Sequence, residues 1–198
     1  MGAQVKVPLI YQASEYDCAP ATLLNAISYL FERRDIPPVI VRNIYIYSLD
    51  TVGRGNKLGR AGTSRLALRL LGEFLSSYKT SRYSVSTEYI EGEEVTLNKI
   101  IQCFNSGGVA MCNVLLGKAE EHFILAQYAD NDWIYCFDAY YRTRLHGLSG
   151  KVRVLQCDDG RQPNLAIQRD WFDSSIEKNR FCLGLRRRRE CLLLWRDR

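Results

Sequence analysis

The chain of 198 residues holds two histidines, so imidazole chemistry has two candidates, His122 and His146. His146 lies in Arg144-Leu145-His146-Gly147-Leu148, which reads as a surface loop or turn with no obvious partner. His122 belongs to an apolar run, residues 121–128, that a tight Ala129-Asp130-Asn131-Asp132 turn folds back onto a second run, residues 133–138. Pairing Tyr128 with Asp132 across a three-residue loop sets His122 directly opposite Asp138, with Asn131 at the left-handed position such a loop needs. Because side chains alternate along a strand, His122, Ile124 and Ala126 then share a face with Ile134, Cys136 and Asp138. A loop one residue longer or shorter would send Asp138 to the other face. A carboxylate beside an imidazole fixes its tautomer and stabilises the protonated ring.

The partner that such a pair could activate is Cys18. It falls in the first turn of a helix whose apolar face is marked by Leu23, Leu24, Ile27, Leu30 and Phe31, with Asp17 available as N-cap and Pro20 in the first turn. Free N–H groups and the helix dipole favour thiolate over thiol there. A thiolate against an imidazolium, oriented by a carboxylate, is the activated nucleophile of acyl transfer. The oxyanion that forms needs donors, and Gln12, six residues upstream, can fold back to supply one beside the Cys18 backbone N–H. Each feature alone has a structural reading, since a cysteine at a helix start and a histidine in a strand are commonly packing residues.

Together the residues resemble a known family. Gln12-Ala13-Ser14-Glu15-Tyr16-Asp17-Cys18-Ala19-Pro20-Ala21-Thr22-Leu23 is similar to the Gln-x4-Asp-Cys-Gly-x-Ala-x-Leu motif of the C39 family of papain-like cysteine peptidases, known as leader-peptide-cleaving domains of bacteriocin exporters. The resemblance continues through Gly62-Thr63-Ser64 to His122-Phe123-Ile124-Leu125 and Asp138-Ala139-Tyr140-Tyr141, spanning about residues 8 to 141. It implies a papain-like fold with Cys18 as nucleophile, His122 as general base and acid, Asp138 as its orienter and Gln12 in the oxyanion hole. Ala19 stands where the family has glycine, and Ala139 where it has proline. The first adds a methyl near the acyl-binding position, so Ala19 joins Tyr140 and Tyr141, which follow Asp138, as expected substrate-binding residues. Residues 142–198 have no counterpart in the peptidase core, and neither the membrane domain nor the ATPase of the exporters is found in the chain. Cleavage of double-glycine leaders is therefore not required of it.

The elements that must position these groups can be read from periodicity. The first helix is expected to stop before Pro37-Pro38. Residues 53–62, with four glycines among Arg54, Lys57 and Arg60, form an exposed loop that matches neither a P-loop nor a dinucleotide fingerprint. Thr63-Ser64 caps a second helix through Leu66, Leu70, Leu71, Phe74 and Leu75, and a third runs from about Thr96 to the Gly107-Gly108 pair. Strands follow at 109–116, 121–128 and 133–138, then a short helix around 170–178 and a last strand near 189–195. Tyr45–Tyr47 reads as sheet or core. Helices followed by an antiparallel sheet indicate a single α+β domain.

Composition narrows the function classes. Residues 178–198 carry eight basic and two acidic residues, whereas residues 1–177 carry 19 basic and 20 acidic, so the net charge of +5 belongs to the tail. Arg186–Arg189 could contact phosphate, but the run flows into Cys191-Leu192-Leu193-Leu194-Trp195, so a solvated basic strand start is expected rather than nucleic-acid binding. Seven cysteines without a CxxC pair, most in apolar runs, point to a reducing compartment rather than a disulfide framework. Their spacing with histidine offers no zinc site, and no cofactor is implied. No apolar run approaches a membrane span or a signal peptide, so a cytoplasmic protein is expected. The expected activity is cleavage of an amide bond in a peptide or other amide substrate through a Cys-His-Asp triad and an acyl-enzyme. The alternatives are transfer of the acyl group to an amine or thiol, and a non-catalytic binding module on the same fold.

Overall fold

The computed structural model describes residues 7–53, 55–117, 120–145, 148, 150–156 and 160–197. His146 and Cys157 lie outside the described residues. The element order is α1 (Cys18–Leu30), α2 (Pro38–Tyr47), a short hairpin β1 (Val52–Gly53) and β2 (Lys57–Leu58), α3 (Arg65–Ser77), β3 (Val85–Glu91) and α4 (Leu97–Asn105). Then come β4 (Val109–Gly117), β5 (Glu120–Ala129), β6 (Trp133–Phe137), β7 (Val152–Val154), β8 (Leu165–Gln168), α5 (Arg169–Phe172) and β9 (Glu190–Arg196). Seven strands form one antiparallel sheet in the order β3-β9-β4-β5-β6-β8-β7. The architecture is mixed α+β, with helices packed on an antiparallel sheet. No helix among the described residues is long and apolar enough to cross a membrane.

Alternation along the strands divides the interior in two. Met111, Phe123, Leu125, Phe137 and Leu192 turn toward α1, α2 and α3, while Cys112, Ile124, Ala126, Cys136 and Leu193 turn toward α4 and α5. Ile124, Ala126, Ile134 and Cys136 therefore do share one core, as the alternation predicts. Strand β3 escapes detection by periodicity because only Val85 and Ile90, at its two ends, are buried, and they face opposite cores. β7 and β8, of three and four residues, are too short to show a period.

The helices depart from expectation in three places. Pro37-Pro38 does not merely follow a helix: Pro38 begins α2, where its missing N–H has no intrahelical partner to lose. Tyr45, Ile46 and Tyr47 thus lie on a helix and are exposed, while Ile40 and Ile44 are buried. On α3, capped as expected by Ser64, whose Oγ accepts from the Ala67 N–H at 3.1 Å, Leu68, Leu71 and Leu75 are buried. Leu66 and Leu70 are instead exposed and border an apolar groove of about 570 Å³ with Asn43, Tyr47 and Phe74. The helix near residue 170 is only one turn long, because the chain turns at Asp173 to give its carbonyl and carboxylate to Arg189.

That last contact corrects the solvated reading of the arginine run at Arg189, while Arg186, Arg187 and Arg188 are exposed as expected. Arg189 is 1% exposed and donates to Gly184 O at 3.0 Å, Val95 O at 3.1 Å and Asp173 Oδ1 at 2.6 Å. Arg188 and Arg186 are exposed and pair at the surface with Glu177 and Glu93.

Candidate active site

Cys18, His122, Gln12 and Tyr140 line one cavity of about 610 Å³, together with Glu15, Tyr16, residues 60–62, Leu116, Glu120, Glu121, Arg142 and Arg180. Cys18 is the first residue of α1 and half-buried; its N–H is among the first-turn donors that have no intrahelical acceptor. His122 lies near the start of β5, 5% exposed, and its Nε2 is 2.6 Å from Asp138 Oδ1. The other ring nitrogen is Nδ1, and Cys18 lines the same cavity as the ring. Burial alone would lower the His122 pKa, but hydrogen bonds to Asp138 and Cys18 and their charges raise it from 6.5 to about 9.

Asp138 reaches His122 by a route other than the predicted one. Asn131 does not adopt positive φ. Asp130 makes the turn instead, its Oδ1 accepting from the N–H groups of Asp132 and Trp133 at 2.9 and 2.7 Å. Tyr128 consequently pairs with Tyr135, not Asp132, an odd displacement that would turn the facing residues over. A bulge between Ala126 and Tyr128 inserts one residue and restores an even displacement, with Ala126 opposite Cys136 and Leu125 opposite Phe137. Continued along the strand, this register makes Asp138 a diagonal neighbour of His122, on the predicted face but not directly opposite.

Asp138 is 2% exposed and fully engaged. Its Oδ1 accepts from the Tyr140 N–H at 2.9 Å as well as facing His122, and its Oδ2 accepts from Arg142 Nε at 2.8 Å. Burial would raise its pKa; the hydrogen bonds and positive charge of His122, then those of Arg142, override burial and hold the carboxyl below its usual range. Asn164 clamps the Asp138 backbone from the β8 side, its Oδ1 accepting from the N–H at 2.7 Å and its Nδ2 donating to the carbonyl at 2.8 Å.

The loop before Cys18 is held in the same manner. Asn25 on α1 clamps the Ile10 backbone, accepting from its N–H and donating to its carbonyl, both at 2.8 Å. Gln12 N–H donates to Ala139 O at 2.8 Å, tying this loop to the segment that carries Asp138. Asp17 occupies the N-cap position of α1 but makes no side-chain cap bond. Its carboxylate accepts instead from the Ala13 N–H, the Ser14 N–H and the Ser14 hydroxyl at 2.7–2.9 Å, which folds residues 13–17 into a closed turn. The Gln12 amide nitrogen donates to Ser14 O at 2.6 Å; that carbonyl can only accept, so the amide orientation is fixed and a second amide hydrogen remains. Four residues along α1 from Cys18, the Thr22 hydroxyl donates to the Phe123 carbonyl at 3.1 Å, joining the helix to the strand next to His122.

Of the residues expected to touch substrate, Tyr140 lines the cavity, with its hydroxyl 3.4 Å from Glu15 Oε1. Tyr141 does not: it is exposed and lies edge-on to the Tyr11 ring at 5.1 Å. Ala19 is 2% exposed and packs in the core with α2 and α3, so its methyl points away from the cavity lining. Arg142, Arg180 and Asn164, which sequence reasoning misses, all come from the segment with no counterpart in the resembled motif. Arg142, four residues after Asp138, carries the one available signal, a cation close to a proposed catalytic carboxylate.

The remaining described cysteines are buried, and burial raises the Cys103 thiol to about 12, those of Cys136 and Cys191 well above their ordinary value, and that of Cys182 as well. Among the described residues no three His, Cys, Asp or Glu side chains are grouped to hold a metal ion. Compared with protein-family models and with curated proteins, the chain gives no match.

Proposed function

We propose that the chain is a cysteine peptidase-like hydrolase that cleaves an amide bond through Cys18, His122 and Asp138, and that it is a relative of the C39-like papain-like peptidases. The observation that carries this reading is the imidazole of His122, engaged by Asp138 through Nε2 and lining the same open cavity as Cys18. A pKa of about 9 keeps this ring protonated at neutral pH, the condition for an imidazolium that stabilises a thiolate. Cys18 Sγ attacks the amide carbonyl. The oxyanion is met by the Cys18 N–H and the second amide hydrogen of Gln12. His122 gives its proton to the leaving amine, becomes the base that takes a proton from water, and is left protonated beside the thiolate that is expelled as the acid product forms.

Treatment with an epoxysuccinyl peptide inhibitor tests the proposal. One adduct on Cys18, lost in His122→Ala, is the expected result in intact mass and peptide mapping. A protein without an adduct at Cys18, or a peptidase activity that survives Cys18→Ala, would overturn it.

A further inference from the structure

Three arginines, Arg60, Arg142 and Arg180, line the cavity that holds Cys18. Arg142 is neutralised by Asp138. Neither Arg60 nor Arg180 has a side-chain hydrogen bond or ion pair among the described residues, and Nε of Arg180 is buried without any acceptor. A guanidinium N–H removed from water without an acceptor is costly unless something else supplies one. The carboxylates on the same rim do not. Glu15 faces the Tyr140 hydroxyl, Glu121 accepts from Asn113 Nδ2, and Glu120 is exposed.

The backbone next to Arg180 is strained. Phe181, a bulky buried residue, has φ of +62°, in the region that favours glycine, and its N–H donates to Leu115 O while Cys182 bridges Leu115. The Phe181 ring then has the guanidinium of Arg142 at 5.5 Å and that of Arg180 at 5.8 Å from its centre. Two like charges are thereby kept near one ring, and of the two only Arg142 has a carboxylate partner among the described residues.

We propose that Arg180, assisted by Arg60, is a carboxylate-binding subsite of this cavity, so that the substrate is a peptide or other amide bearing an acidic group close to the bond that is cleaved. The planar fork of a guanidinium matches a carboxylate, and the Nε edge is the one left unsatisfied. This rests on Cys18 being the nucleophile of the same cavity. The acidic group is either a side-chain carboxylate or a chain terminus, and the test separates them.

Cys18→Ala protein is titrated calorimetrically with three probes: acetylglutamine amide, which is neutral, acetylglutamate amide, with a side-chain carboxylate, and acetylalanylalanine, with a terminal one. At least one acid is expected to bind about tenfold tighter than the neutral amide, and the tighter acid identifies the source. Arg180→Gln in the same background removes the preference and Arg180→Lys keeps part of it, both with unchanged circular dichroism. No preference among the three probes, or one that survives Arg180→Gln, overturns the subsite. In parallel, the ratio of Cys18 alkylation rates by iodoacetate and iodoacetamide, in which thiolate displaces iodide, is expected to fall about tenfold in Arg180→Gln. If Cys18 resists both reagents while the acid preference holds, the nucleophile fails and the subsite stands. If Cys18 is reactive and no acid is preferred, the nucleophile stands and the subsite fails.

Discussion

Arg142 reaches back four residues to give its Nε hydrogen to Asp138 Oδ2 at 2.8 Å, leaving Oδ1 to His122. Its guanidinium also lies 4.4 Å from the centre of the Tyr140 ring, so the arginine is held by a ring face and a carboxylate at once. The pair fixes both oxygens of Asp138 and keeps the group ionised in a buried position, where burial opposes ionisation.

Arg142→Gln is therefore expected to raise the Asp138 pKa and to slow alkylation of Cys18 at neutral pH by about tenfold, with Arg142→Lys between the two. The readout is the pH profile of the alkylation rate, whose acidic limb moves to higher pH in Arg142→Gln. A uniform loss of rate at every pH would show that Arg142 acts only on folding.

His122 can be followed directly, because the chain has one other histidine to assign in a proton NMR titration. The ring should titrate near 9 in the native protein. In Asp138→Asn the midpoint should fall, since the largest influence opposing burial is removed and only that of Cys18 is left. A midpoint that stays near 9 in the variant would remove Asp138 as the cause.

The same shift sets a pH dependence of stability. His122 has a raised native pKa, so the stability it adds is complete below its unfolded value and is lost as pH rises toward 9. Asp138 is lowered, so its share is complete above the ordinary carboxylate range and is lost as pH falls through the lowered native value. The two describe one interaction, worth up to about 3 kcal/mol for a shift of this size. Urea unfolding between pH 6 and 10 should show a decline that His122→Phe flattens.

Thiol reactivity should be sharply uneven. Cys18 alone among the described cysteines combines partial exposure with an imidazole partner, whereas burial raises the thiols of Cys103, Cys136, Cys182 and Cys191. In native protein, iodoacetamide should modify Cys18 about a hundredfold faster than these four. Peptide mapping at partial modification checks the order, and early labelling of Cys182 or Cys103 would contradict the burial argument.

Arg189→Met should cost about 2–4 kcal/mol in urea unfolding, because it leaves Val95 O, Gly184 O and the Asp173 groups without their donor. Arg187→Met, on the exposed part of the same run, should change stability by less than about 0.5 kcal/mol. Equal losses in the two variants would refute the distinction.

How far the sequence can be read is clearest at the β5–β6 hairpin. The period of two puts His122 and Asp138 on one face, and that parity holds, yet it holds through two departures that compensate each other. Aspartate and asparagine both favour turns, and nothing in Ala129-Asp130-Asn131-Asp132 indicates that Asp130 rather than Asn131 directs the chain. A bulge leaves no periodic trace in an apolar strand. Cys18 at a helix start is legible from Pro20 and the apolar spacing, but the role of Asp17 is not, since a cap and a loop clasp use the same residue type. Asn164 and Arg180 meet the site only through the tertiary fold, so no local pattern marks them. The proline pair that opens α2 reads equally well as an end or a beginning, and the next turn of chain decides which.

The Thr22 hydroxyl on the Phe123 carbonyl fastens the helix that begins with Cys18 to the strand that carries His122, one helical turn from the first residue and one residue from the second. Displacement of α1 along β5 would therefore strip the buried Phe123 carbonyl of its hydroxyl donor, so the place of Cys18 and the place of His122 are tied to each other through residue 22. Exchange of one hydroxyl for a methyl keeps the packing of the helix and removes that tie.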